Sequence, residues 1–185
     1  MAEYAEDSLS GMSVELLSHI EHLGTGGSYA QQIFDLVGRS PFFAEFERVD
    51  IVLLADYMAI YNAQPGQAII REGDEGDFML LVISGAVDIF KNNAQGERQL
   101  MTSVGPGMTL GEMSMIDGEP RFATCIATDI VVFAVLTRDA MANIILEKPS
   151  LGSKILIKLV TMLSQRLRQT SARLLQTMER PPLAF

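Results

Sequence analysis

Residues 110–124 have the sequence LGEMSMIDGEPRFAT, and no other stretch of the chain says more about its fold. Gly111 precedes Glu112, and the next residues can form one short helical turn before Pro120 fixes the backbone. The N–H groups that open such a turn lack partners within it and suit an anion. Arg121 adds a planar set of donors that matches phosphate oxygens, while Glu112 can accept from a sugar hydroxyl. The pattern indicates a nucleotide site, although Glu112 and Arg121 can instead form a structural ion pair.

The sequence around this stretch, from about Ser40 to Thr137, has the pattern of short strands separated by turns. Glycine and proline pairs, as at 65–66 and 105–107, mark the turns. With helices outside and strands inside, the chain is predicted to adopt an α+β fold built on a small sandwich or barrel. The predicted strands are 57–63, 68–71, 78–83, 86–91, 98–104 and 124–136.

Two short helices are predicted ahead of the strands, separated by the flexible segment TGGS at 25–28. Gly24 ends the first and Gly38 the second, because glycine is the usual residue just after a helix C-terminus. The apolar residues that define these helices are Leu16, Ile20 and Leu23 in the first and Ile33, Phe34 and Val37 in the second.

Two further helices are predicted after the strands, over 137–147 and 150–179, with Pro149 between them. The second would be roughly 40 Å long, which is too long to be buried on a small barrel. Its heptad seam therefore predicts a homodimer through 150–179, the alternative being that the seam lies along its own barrel. The seam consists of Leu156, Val160, Leu163, Thr170, Leu167, Leu174 and Thr177. The domain boundaries expected are an N-terminal helical extension, 1–40, a central domain, 41–149, and the long C-terminal helix, 150–185.

Composition and charge limit the possible functions. The chain has 185 residues, of which 48% are hydrophobic, so it can build a core and is not expected to be disordered. Its net charge of −9 is the wrong sign for coating a polyanion. From Ser150 onward, six basic residues face one acidic residue, a net charge of +5. This basic helix can be a solvated face, can pack on the acidic body, or can dock an acidic partner.

Several other functions are not expected. The chain shows no secretory leader, no apolar run of membrane-spanning length and a single cysteine, Cys125, which together predict a cytoplasmic protein without membrane contact. Only three residues follow Pro181-Pro182, so no direct DNA binding is expected. His19 and His22 lack further metal-ligand partners, and no nucleophile–base set is apparent. We therefore expect no metal, no cofactor and no enzymatic activity.

The 110–124 stretch resembles the phosphate-binding cassette of the cyclic nucleotide-binding family, which includes kinase regulatory subunits and bacterial catabolite activators. The family pattern is Phe-Gly-Glu, a short helix, then Pro-Arg-small-Ala-Thr. Upstream, EGDEGD at 72–77 and ISG at 83–85 resemble the family's strand-and-turn signature. The resemblance covers about 40–171 and implies an eight-stranded, jelly-roll-like β-roll with flanking helices in a bacterial regulatory protein.

The resemblance also implies roles for individual residues. Glu112 would accept from the ribose 2′-OH, Arg121 would pair with the cyclic phosphate, and backbone amides would complete the phosphate cradle. In the long helix, Thr170 and Ser171 match residues that reach the purine, one from each subunit; alternatively, Thr170 is a polar seam residue that sets the register. The implied nucleotide-binding set is Gly111, Glu112, Met113, Ser114, Arg121, Phe122, Ala123, Thr170 and Ser171.

The chain departs from the family pattern at two positions. Leu110 replaces the usual Phe, one apolar residue for another. Phe122 stands where the family has Ala, Ser or Thr, next to the phosphate and the base. Its ring can point into the core, can stack on a base, or can block an ordinary mononucleotide.

These observations predict a stand-alone homodimeric sensor that binds cyclic AMP or cyclic GMP. Ligand binding would shift the arrangement of the helices over 137–179, which would present the signal to an effector protein. The alternative is an interaction or scaffold module on the same fold that has lost nucleotide binding or has altered it, for example toward cyclic di-GMP.

Overall fold

The computed structural model describes residues 16–36 and 40–178, and in that part of the chain nine strands form two antiparallel sheets. The strands are β1 (Glu21–Thr25), β2 (Ala59–Ala63), β3 (Ala68–Ile70), β4 (Phe78–Ser84), β5 (Val87–Asn92), β6 (Arg98–Val104), β7 (Thr109–Leu110), β8 (Thr124–Ala127) and β9 (Val131–Thr137). One sheet has the strand order β1-β2-β9-β4-β7 and the other β3-β8-β5-β6.

Helices lie between β1 and β2, between β7 and β8, and after β9. They are a 3₁₀ helix (Gly26–Tyr29), α1 (Ala30–Asp35), α2 (Arg48–Ala55), α3 (Glu112–Asp117), α4 (Arg138–Glu147) and α5 (Pro149–Met178). The predicted α+β roll with a long C-terminal helix is confirmed. Among the described helices, none combines the length and the apolar character needed to span a bilayer.

Strand β4 explains how the five-stranded sheet separates two cores. Because side chains alternate along a strand, Phe78, Leu80 and Val82 face one way and Met79 and Leu81 the other. The first three join residues of the four-stranded sheet in a cluster between the sheets, which we call the roll interior. The other two join a cluster formed with the helices. Both faces are buried, so the segment is apolar without interruption.

The first predicted helix is wrong beyond Leu17, because residues 18–20 form a turn and a bend. Residues 21–25 form β1, which pairs antiparallel with β2 at the edge of the sheet. Gly24, with φ of +122°, lies at a register shift in this ladder and does not cap a helix. The second helix is confirmed as α1, while Val37 and Gly38 lie outside the described residues.

The predicted strands agree with the structure within two residues, except that 124–136 is two strands, β8 and β9, and the two-residue strand β7 was not predicted. The turn between β8 and β9 contains Asp129, whose carboxylate accepts from the Ala86 N–H at 2.7 Å. This side-chain contact ends β8 and lets the chain cross to the other sheet. The resulting roll has nine described strands, because β1 adds one to the eight that the family resemblance implied.

Helix α5 packs on the body through one stripe and leaves its heptad seam outside. The stripe is the row Leu151, Ile155, Leu159 and Met162, all buried in the helical core. The seam residues Leu156, Val160, Leu167 and Leu174 are exposed, so the alternative that the seam lies along its own barrel is wrong. Lys154 pairs with Asp50, and Lys158 lies 3.7 Å from Glu45. The basic helix therefore packs on the acidic body, one of the alternatives that its charge allowed.

Candidate functional site

Gly111 connects β7 to α3 and brings the backbone close to a buried arginine. Its φ of +81° lies in the left-handed region, where a side chain is strained. A Cβ at this position would lie 2.6 Å from Nη1 of Arg121 and 3.0 Å from the carbonyl oxygen of Phe78. Both the torsion and the space therefore require glycine.

Glu112, the first residue of α3, is 3% exposed, and the residues that bind it come from β7 and α5. It accepts from the Thr109 hydroxyl, and Nη1 of Arg166 lies 3.1 Å from its carboxylate. Nη2 of Arg166 also donates to the backbone carbonyl of Thr109 at 3.1 Å. The long helix is thus tied to the cassette, and Glu112 forms no ion pair with Arg121, so that structural alternative is wrong.

Arg121 is 4% exposed and only partly satisfied. Its Nη1 donates to the carbonyl of Gly111 at 2.9 Å, and its Cζ lies 4.3 Å from the ring centroid of Phe78. Nη2 is buried and has no hydrogen-bond partner among the described residues. Burial lowers the pKa of this guanidinium to about 10, which still leaves it charged at neutral pH. The site therefore holds a buried cation with a donor that lacks an acceptor, the arrangement that an oxyanion completes.

The acidic loop at 72–77 holds Arg121 in place through its backbone. The Arg121 N–H donates to Asp74 at 2.8 Å, and the Gly73 N–H donates to the Arg121 carbonyl at 2.9 Å. A Cβ at Gly76 would lie 2.0 Å from Nε of Arg121. The two motifs recognised separately in the sequence thus meet at one arginine.

Phe122 points to solvent, with 52% of its surface exposed. Nζ of Lys91 lies 4.5 Å from its ring centroid and donates to its carbonyl at 2.7 Å, while also pairing with Glu72 at 2.7 Å. The alternative that the Phe122 ring points into the core is therefore wrong. The ring is held beside the site by a cation on β5, where it remains available to a base.

The other members of the implied set are dispersed. Ser114 is buried and Met113 exposed on α3, and Ala123 is half-buried before β8. Thr170 and Ser171 are exposed on α5, where the Thr170 hydroxyl donates to the Arg166 carbonyl at 2.9 Å. Within this single chain these two residues form part of the helix surface and do not complete the cassette.

Two arginines of the site were missed by sequence reasoning. Arg166 lies in the RLRQTS segment that carried the resemblance, but its partner becomes visible only when α5 is packed against β7. Arg138, at the start of α4, donates to the carbonyls of Ser114 and Met115, each at 2.7 Å. It therefore satisfies the C-terminal end of α3 and links the cassette to the helices that follow.

The space beside Arg121 is closed. A cavity of about 10 Å³ remains there, enough for about one water molecule. Its lining includes Phe78 and Arg121 but not Phe122, so the outward-pointing ring is not what closes it. The lining residues are Leu16, Ile70, Arg71, Asp74, Glu75, Phe78 and Arg121.

We expect Arg166→Gln to lower the free energy of unfolding by about 1–3 kcal/mol, because it leaves the buried Glu112 carboxylate with the Thr109 hydroxyl alone. Urea denaturation measures this loss. Arg168→Gln is the matched control on the same helix, since Arg168 is exposed and its substitution should cost less than about 1 kcal/mol. Equal costs for the two substitutions would contradict the Arg166–Glu112 link.

Comparisons with known proteins agree with this geometry. The model of the cyclic nucleotide-binding domain family matches residues 61–148. A crystal structure of a cyclic nucleotide-binding domain from Methylobacillus flagellatus KT is 36% identical and has a TM-score of 0.78. The match covers 91% of this chain and 94% of that one.

Two curated relatives are regulators of greater length. The CRP-like cAMP-activated global transcriptional regulator of Mycobacterium tuberculosis is 28% identical over 137 residues, which is 74% of this chain and 59% of the regulator. The cAMP-dependent protein kinase regulatory subunit of Dictyostelium discoideum is 39% identical over 92 residues, 49% of this chain and 28% of that subunit. The matched part of the chain thus spans about three-fifths or less of these two relatives.

Proposed function

This chain belongs to the cyclic nucleotide-binding domain family, and we propose that it is a cytoplasmic, non-enzymatic sensor of cyclic AMP or cyclic GMP. The observation that carries the proposal is Arg121, a buried cation with one guanidinium nitrogen that has no acceptor among residues 16–36 and 40–178. A cyclic phosphate supplies both the charge and the oxygen that this nitrogen lacks. The two regulators compared above are named for cAMP, which supports the same ligand class here.

Glu112 connects the proposed ligand to the long helix. Its carboxylate is the acceptor for a ribose 2′-OH, and in this structure Arg166 and Thr109 occupy it. A ribose hydroxyl that enters must share or displace these contacts. Ligand binding therefore changes how firmly Arg166 holds α5 to the cassette. This differential contact is what lets a ligand shift the population of helix arrangements and pass a signal to an effector protein.

Calorimetric titration with cyclic AMP, cyclic GMP and cyclic di-GMP tests the proposed function. We expect saturable binding of one of the first two, with thermal stabilisation that grows with ligand concentration. Preferential binding of cyclic di-GMP would change the proposed ligand but would still support a nucleotide sensor. Absence of heat and of a thermal shift with all three ligands, on protein freed of nucleotide by refolding, would contradict it.

We also propose that the exposed seam of α5 pairs two copies. Leu156, Val160, Leu167 and Leu174 present an apolar stripe that the chain's own body does not cover. Two such stripes in a coiled coil would bury one another and bring Thr170 of one copy near the cassette of the other.

We expect sedimentation velocity to show a dimer that Leu167→Glu weakens by more than tenfold, because the substitution places a carboxylate in the seam. The matched control is Leu146→Glu, which alters an equally exposed leucine on α4 outside the seam. A monomeric wild-type protein at micromolar concentration, or equal effects of the two substitutions, would contradict the dimer.

The second candidate is an interaction module that binds no nucleotide. The closed space of about 10 Å³ beside Arg121 favours it. Arg121→Ala distinguishes the two functions, because a sensor loses its ligand-induced thermal shift whereas an interaction module has no shift to lose.

A further inference from the structure

Residues 16–20 insert apolar side chains into the roll interior, and we call this segment the N-terminal plug. Leu16, Leu17 and Ile20 are all buried. Leu17 and Ile20 belong to the same cluster as Phe78, which lies under Arg121, and Leu110, which precedes the cassette glycine. The plug comes before the first residue matched by the family model, Tyr61. The plug therefore fills part of the roll interior with side chains from a segment that the family model does not match.

Leu16 reaches the cassette itself. It lines the cavity of about 10 Å³ that Arg121 and Phe78 also line. Pockets that hold nucleotide-sized ligands have volumes of roughly 300 Å³ or more. The place where a cyclic phosphate would meet Arg121 is thus occupied by the protein's own side chains, and a ligand can enter only after some of them leave.

The chemistry of the contact shows that Leu16 is a poor permanent partner. The guanidinium of Arg121 is buried, its Nη2 has no hydrogen-bond partner in the described part of the chain, and a leucine offers it neither charge nor an acceptor. A buried cation of this kind is costly unless an anion joins it. Asp77 and Asp74 favour the charged form of Arg121 and so offset part of the effect of burial on its pKa, but neither accepts from Nη2. An anionic ligand that displaced the covering side chains would supply that acceptor.

The plug can move without dismantling the roll. Gln67 Nε2 donates to the carbonyl of His19 at 3.2 Å, an exposed hydrogen bond at the upper end of the normal range that water can replace. The strand that follows, β1, is held to β2 by a ladder with a bulge at Gly24. Displacement of 16–20 can therefore stop at β1 and leave the sheet intact.

We propose that the N-terminal plug is an internal competitor for the nucleotide site, so that ligand binding and plug release are coupled. This inference rests on the proposed function, since it assumes that Arg121 receives a cyclic nucleotide. The apparent dissociation constant would then equal the intrinsic one divided by the fraction of molecules whose plug is out. Release of the plug would also give the segment before β1 a ligand-dependent position, a second output besides α5.

Titration of Leu16→Ala and Leu17→Ala with cyclic AMP and cyclic GMP tests the coupling. Both substitutions should lower the melting temperature of the unliganded protein and yet tighten ligand binding by about threefold to tenfold, because they raise the open fraction. Leu36→Ala is the matched control, since Leu36 is buried in the helical core and not in the roll interior. It should lower the melting temperature without tightening binding. Affinity that is unchanged or weaker in both plug variants would overturn the proposal.

The thiol of Cys125 gives a second measurement that needs no nucleotide. It is the chain's single cysteine, it is buried in the roll interior, and burial raises its pKa to about 12. Its rate of reaction with a neutral disulfide reagent reports how often the interior opens. We expect Cys125 to react severalfold faster in the plug variants than in Leu36→Ala when the variants are compared at equal free energy of unfolding. Equal reaction rates would overturn the inference that residues 16–20 close the roll interior. If no variant and no wild-type protein bound nucleotide, the proposed function would fail, and the Cys125 rates would still decide whether 16–20 closes the interior.

Discussion

Arg121→Ala is expected to weaken cyclic nucleotide binding by about thirtyfold to a few thousandfold, the effect of removing one partner of a buried, hydrogen-bonded charge pair. The physical reason is that the cyclic phosphate loses the one buried cation among the described residues and faces Asp74 and Glu75, which line the same cavity, without it. The unliganded protein should still fold, because Arg121 contributes to it one hydrogen bond to Gly111 and a contact with the Phe78 ring. Calorimetry and thermal shift with the preferred nucleotide measure the loss.

Arg98→Ala provides the control for charge. Arg98 also lies over an aromatic ring, 5.7 Å from that of Phe90, but it is on the exposed strand β6. Its removal changes the net charge equally and should leave affinity within about twofold, because exposed charges are screened. Comparable losses in the two variants would mean that general electrostatics, and not the buried site, governs binding.

Gly111→Ala is expected to have the second large effect, on stability and binding together. A non-glycine residue at a φ of +81° costs about 1–3 kcal/mol in backbone strain. Its Cβ would also lie 2.6 Å from Nη1 of Arg121, so the guanidinium must move away from the site. We expect a lower melting temperature and a loss of affinity of more than tenfold, measured by scanning calorimetry and titration.

Gly96→Ala separates strain from displacement of the guanidinium. Gly96 has the same φ of +81°, but a Cβ there would meet nothing within 4 Å. The two substitutions should therefore share the strain, while only Gly111→Ala should affect the ligand. If Gly111→Ala lowered stability but preserved affinity, Arg121 would not need its present position to bind.

The cassette could be predicted because its chemistry is local. Glycine, glutamate, proline and arginine lie within fifteen residues and each needs only its neighbours to be recognised. The edge strand β1 could not, because Leu16, Ile20 and Leu23 have helical spacing and the unpaired edge of β2 that attracts residues 21–25 appears only in the folded sheet. At residues 21–25, pairing with β2 in the folded sheet outweighed the helical spacing of the apolar residues.

The partners of the two site residues were equally hidden in the sequence. Glu112 and Arg121 are nine positions apart, so their mutual contact was the nearest alternative, yet each has its contacts elsewhere. Glu112 meets Arg166, fifty-four positions away, and Arg121 meets the backbone of the loop at 72–77. The outward direction of Phe122 depends likewise on Lys91 of a neighbouring strand. Such contacts follow from strand order and helix packing, which no single segment specifies.

Helix α5 is one continuous rod that is joined to the cassette at Arg166 and runs on to Met178. Beyond that attachment the rod extends by roughly 18 Å, at about 1.5 Å per residue. The segment after Arg166 can therefore tilt about the attachment beside Glu112. A rearranged hydrogen bond at this attachment that tilted the helix by about 10° would move Met178 by about 3 Å. In the proposed sensor, a sub-ångström change at a sugar hydroxyl would in this way become a displacement large enough for a partner protein to detect.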